Sequence, residues 1–188
     1  MGRRARLWQC RGLMNAIRLF ACLLLTLVIA RAEEPALDEH LEPFRQFLGK
    51  TWRGEFKNST PEKPMVDVAR WERALNGKAI RMMHSVNDGS YGGESILRWD
   101  AEKKQIVYFY FTTAGFMTSG TMSIADGKIT ATEKVSGSAK IAEVRSISEI
   151  RGDGTMLSKA EYLDKDGKVT GGREVTYRED AKAEVKFK

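Results

Sequence analysis

Residues 66–86 read VDVARWERAL, then NG at 76–77 of the tract's interior, then KAIRMMHSV from Lys78. Two alternating runs meet at Asn76-Gly77, a pair that readily adopts the positive φ angles of a tight hairpin turn. This hairpin sets the pattern for everything after Gly49. Asp88-Gly89, Gly92-Gly93, Asp126-Gly127, Gly152-Asp153-Gly154, Asp166-Gly167 and Gly171-Gly172 punctuate the chain. Between them lie ESILRWD, QIVYFYFT, FMTSGTMSI, KITATEKV, KIAEVRSISEI, TMLSKAEYL and REVTYRE. Short alternating runs with tight turns and no helical interlude predict an antiparallel up-and-down meander. So long a meander removes its exposed edges by closing. The expected fold is therefore a mostly β barrel of about ten strands. The near-repeats Asp126-Gly127-Lys128-Ile129-Thr130 and Asp166-Gly167-Lys168-Val169-Thr170 are shared turn vocabulary rather than duplication.

Alternation also separates the two faces. Ile80, Met82, His84 and Val86 share one side of their strand, and Arg81 and Ser85 take the other. Ile129, Ala131 and Val135 oppose Lys128, Thr130, Thr132 and Lys134. In QIVYFYFT, Val107, Phe109 and Phe111 face one way and Ile106, Tyr108 and Tyr110 the other, so both faces are expected to be buried. The residues assigned to a ligand-facing interior are Ile80, Met82, His84, Val86, Trp71, Phe109 and Phe111.

Upstream, residues 36–48 carry Leu37, Leu41, Phe44 and Leu48 at helical spacing. Pro43 predicts a break at Glu42 and the start of a second short turn, with Gly49 as the stop. Still earlier, Leu19–Ala30 reads LFACLLLTLVIA. That is shorter than the roughly 20 apolar residues of a membrane-spanning helix. With Arg18 before it and Ala30-Arg31-Ala32 after it, the run predicts a cleaved secretory signal peptide over residues 1–32, cut between Ala32 and Glu33. Met14 is an alternative start. Residues 33–188 then form one exported domain, periplasmic or secreted, with no membrane span.

The net charge of +6 belongs to the leader, whose six arginines have no acidic counterpart. The remainder is neutral, which removes the electrostatic footprint of a nucleic-acid binder. Both cysteines, Cys10 and Cys22, also lie in the leader. Disulfides and thiolate chemistry are therefore excluded from the exported domain.

At Phe47-Leu48-Gly49-Lys50-Thr51-Trp52-Arg53-Gly54-Glu55 the sequence resembles the opening of lipocalin-like, calycin-type barrels. The resemblance is nearest to small exported bacterial domains of unassigned activity. It implies a short helix, then Gly49, then Trp52 plugging the barrel floor. A looser similarity, through FLGKTWRGE and Arg70-Trp71-Glu72, reaches nitrobindin-type barrels. Those hold haem iron through a histidine near the C-terminus. The two histidines here, His40 and His84, both lie in the first half, so no cofactor is expected.

Catalytic and metal motifs are not identifiable. No Gly-x-Ser-x-Gly elbow presents a nucleophile, and Asp164-Lys165-Asp166-Gly167 is only a fragment of a calcium loop. His84 stands out because its neighbours by alternation are apolar. It is either a core histidine bonded to a carboxylate, with Glu72 or Glu94 as candidates, or a polar fixing point in an apolar cavity. The leading functional expectation is a non-catalytic barrel binding a small apolar or amphipathic molecule. The alternatives are a solid-core protein-interaction module, a His84-dependent isomerase or cyclase, and a haem binder.

Overall fold

The computed structural model describes residues 36–188. The signal-peptide and cleavage-site expectations for residues 1–32 lie outside the described residues. Ten antiparallel strands follow one another in the chain: β1 (Thr51–Phe56), β2 (Val66–Ala74), β3 (Ala79–Val86), β4 (Tyr91–Asp100), β5 (Gln105–Thr112), β6 (Met117–Ala125), β7 (Lys128–Ser136), β8 (Glu143–Ile150), β9 (Met156–Leu163) and β10 (Val169–Glu179). Each pairs with the next, and β1 closes the ring by pairing with β10 as well as β2. Trp52 thus sits opposite Ala69 on one side and Glu179 on the other. Closure gives every strand two partners, so the ring has no open edge.

One end of the barrel is sealed by a helix at Glu39–Phe47, and here the structure corrects the sequence reading. The helix is 3₁₀ and continuous, and Pro43 lies inside it without a break. A 3₁₀ helix repeats every three residues, so Leu41, Phe44 and Phe47 fall on one face, and all three are fully buried. The α-helical count had picked Leu48 in place of Phe47; Leu48 is only partly buried. Asp38 caps the start by accepting from the His40 backbone N–H, and Gly49 turns the chain with φ 75°. Phe47 packs 5.8 Å from Trp52 and 5.2 Å from Trp71, ring centre to ring centre. Together with Ile80, Leu97 and Ile106 these rings form the floor. Each fully buried side chain of this size contributes about 1.5–3 kcal/mol.

The turns between β2 and β3 and between β4 and β5 lie at this floor end, where the Asp38 N–H bonds the Gly77 carbonyl and His40 stacks on Trp99 at 3.8 Å. The turns between β1 and β2, β3 and β4, and β9 and β10 therefore ring the opposite end, the mouth. Among the described residues, no helix is long and apolar enough to cross a membrane.

Two further expectations need correction. Gly92-Gly93 and Gly171-Gly172 are not turns; they lie within β4 and β10. β5 is also not buried on both faces. Phe109 and Phe111 are 43% and 52% exposed on the outside of the barrel, and the helix does not cover them.

Candidate functional site

A cavity of about 520 Å³ occupies the barrel above the floor. Strand alternation decides what lines it. Met82, His84 and Val86 of β3 and Trp71 of β2 all face it, while Ile80 is buried in the floor below. Phe109 and Phe111 do not line it, because β5 turns Tyr108 and Tyr110 inward instead. Both faces of that strand are aromatic, so alternation alone could not orient it. The deeper walls carry Trp71, Leu97, Met122, Ile129 and Met156, with Ser148 and Ser158 beside them. Trp52 is buried beneath Phe47 in the floor cluster.

The upper wall is polar and connected. His84 Nδ1 lies 2.9 Å from Asp67 Oδ1, and His84 Nε2 lies 2.6 Å from the Tyr110 hydroxyl. Tyr110 in turn lies 2.9 Å from the Tyr91 hydroxyl. The Tyr177 hydroxyl donates to the other Asp67 oxygen at 2.5 Å. An ionised Asp67 only accepts, so Nδ1 carries the proton it donates. With a neutral ring, Nε2 then accepts from Tyr110, and Tyr110 accepts from Tyr91. His84 is thus bonded to a carboxylate as one reading required, but the partner is Asp67. Glu72 and Glu94 lie outside the barrel, bonded to Arg70 and Arg81. Arg98 is exposed on the outside too.

Glycines make this arrangement possible. A Cβ on Gly54 would stand 2.5 Å from the Tyr177 ring, and one on Gly93 would stand 2.4 Å from the Tyr110 ring. Real side-chain atoms do not approach so closely, so only glycine lets these rings lie flat against the strands and reach Asp67 and His84.

Burial by itself would raise the Asp67 pKa, but the hydrogen bonds from His84 and Tyr177 hold it below its ordinary 3.8. Burial raises the Tyr91 pKa and keeps Tyr110 and Tyr177 protonated well past their usual range. Arg173 enters the upper wall from β10. Burial opposes its charge, yet Tyr177, Tyr162, Asp67 and Tyr110 more than compensate and raise its pKa.

Two buried donors facing the cavity remain without a partner among the described residues: Trp71 Nε1 and the Tyr108 hydroxyl. Tyr108 has no partner at hydrogen-bonding geometry. Burial chiefly, and then the nearby Glu133 carboxylate, keeps its proton on. Glu133 itself accepts from Thr118 Oγ1. Among the described residues, no three His, Cys, Asp or Glu side chains converge to hold a metal ion.

This geometry can be set beside known proteins. No protein-family model and no curated protein matches the chain. The barrel does resemble a solved structure. It superposes on the crystal structure of Rv2717c from M. tuberculosis with a TM-score of 0.57 over 77% of this chain and 99% of that one. At 12% identity the likeness shows the fold alone.

Asp67, Tyr91, Tyr110, Tyr162, Arg173 and Tyr177 were not picked out from sequence. Their signal is inward parity: Asp67 alternates with Ala69 and Trp71, and Arg173 with Val175 and Tyr177. Gly93, inside β4, marks the close approach of the Tyr110 ring rather than a turn.

Proposed function

We propose that residues 33–188 are an exported, non-catalytic, lipocalin-like barrel that holds one small apolar or amphipathic molecule in its interior. The observation that carries this reading is the cavity of about 520 Å³, lined by apolar side chains together with a connected polar network. A solid-core interaction module would fill that space with side chains. The size falls within the range of ordinary small-molecule sites, and a few convergent polar groups in an apolar surround are their usual composition. The unpartnered Trp71 donor facing the cavity supports it further, since a buried donor left unpaired costs about 1–3 kcal/mol. A ligand burying about 200 Å² of apolar surface gains roughly 5 kcal/mol. Association entropy offsets part of this, so apolar contacts alone give at best micromolar binding. The expected experiment is native mass spectrometry of protein purified from its own compartment. One reproducible non-covalent adduct supports the reading, and a bare polypeptide mass opposes it.

The Asp67–His84 contact beside the cavity favours a second reading, proton transfer to a bound substrate. Both nitrogens of His84 are already bonded, so Tyr91, at the end of the chain, would have to meet the substrate. Time-dependent conversion of the bound molecule that disappears in His84→Leu supports this reading over simple binding.

A further inference from the structure

We propose that the ligand is an anionic amphiphile, its carboxylate held by Arg173 just inside the mouth and its apolar tail directed to the floor. This rests on the binding reading above and adds the chemical class. Residues 169–172 of β10 are exposed, so Arg173 is the first inward residue of that strand below the rim. It also lines a shallow rim cleft with Phe56, Met65 and Tyr162. Among the described residues, no carboxylate oxygen lies within 4.0 Å of its guanidinium. Asp67, a carboxylate that favours its charge, has both oxygens committed, to His84 and to Tyr177. A cation in a low-dielectric wall gains from an anion that joins it. The planar guanidinium fork matches a carboxylate in two parallel hydrogen bonds.

The arrangement of the walls supplies the rest. Below Arg173 the lining offers the apolar side chains Met122, Ile129, Met156, Leu97 and Trp71, with Ser148, Ser158 and Tyr177 among them. A free small anion would satisfy Arg173 but leave this apolar volume unused. A neutral lipid would fill the volume but bring the guanidinium no carboxylate. Only a molecule with both parts answers both features. Glu133, the other carboxylate in the lining, is bonded to Thr118.

The test uses the mature chain and a neutral fluorescent apolar dye, displaced in parallel by dodecanoate, dodecanol and acetate. Dodecanoate is expected to compete at least tenfold more tightly than dodecanol, and acetate not at all. In Arg173→Met, the advantage of dodecanoate over dodecanol should disappear. Equal competition by acid and alcohol in wild-type protein overturns the anionic assignment while leaving interior binding intact. Competition by acetate as strong as by dodecanoate overturns the amphiphile. Absence of binding by the dye and by both twelve-carbon compounds overturns the binding reading itself. Because the acid–alcohol comparison is made on wild-type protein, it decides the question even if Arg173→Met fails to fold; Arg173→Lys, which keeps charge but not the fork, should retain part of the preference.

Discussion

Tyr177→Phe deletes a single oxygen from the centre of the polar wall. The ring can keep its place against Gly54, so packing is preserved. What is lost is a hydrogen bond to an ionised carboxylate, leaving one oxygen of a buried Asp67 without a donor. Bonds to charged groups contribute about 1.5–3 kcal/mol. For a domain of this size each kcal/mol moves the melting temperature by about 2–4 °C. A loss of about 2 kcal/mol therefore lowers Tm by about 4–8 °C at neutral pH. The pH dependence gives an independent check. The Tyr177 bond helps hold the Asp67 pKa below its ordinary value. A depressed carboxylate pKa contributes stability that is present above the unfolded value of 3.8 and lost as pH falls through the folded value. Weakening that depression moves the acid unfolding midpoint of the variant to higher pH. Thermal melts from neutral pH down to the acid transition measure both effects. A Tm within about 1 °C of wild type, with an unchanged acid midpoint, would refute the structural role given to the Asp67–Tyr177 bond.

Other substitutions probe separate parts of the account. Trp52→Ala empties a buried aromatic site in the floor and should cost about 3–5 kcal/mol in chemical denaturation; a loss below about 1 kcal/mol contradicts its burial. His84→Leu leaves Asp67 and Tyr110 each short of a partner and should lower stability by about 1–3 kcal/mol. In binding titrations it should leave the neutral apolar dye bound and weaken dodecanol and dodecanoate; unchanged affinity for both twelve-carbon compounds counts against His84 as a polar fixing point. Residues 36–188 contain no cysteine, so denaturation curves with and without reductant should superpose. Intact mass of exported protein should begin at Glu33, and recovery of the full chain from membranes would reverse the expected localisation.

The barrel was legible because its signals are local. Turn pairs such as Asn76-Gly77 and Asp126-Gly127 and the period-two alternation of β3 and β7 each specify their own hairpin. The floor was partly legible: the apolar stripe before Gly49 was found, but its period was misjudged, because 3₁₀ and α spacings share Leu41 and Phe44 and part only at Phe47 or Leu48. The polar wall was mostly hidden. His84 stood out as a polar residue on an apolar face, yet its partner comes from the neighbouring strand at a diagonal position set by register. Arg173 and Tyr177 lie over a hundred residues from Asp67, and only closure of β10 onto β1 brings them together. Sequence order carries no sign of that meeting.

The most direct test of interior binding uses methyl NMR of the methionines. Met82, Met122 and Met156 line the cavity, whereas Met83 and Met117 face away from it. On titration with dodecanoate, the methyl signals of Met82, Met122 and Met156 are expected to shift and saturate together, with those of Met83 and Met117 unmoved. Shifts confined to Met83 and Met117, or no saturable shift at any methionine, would contradict an interior binding site.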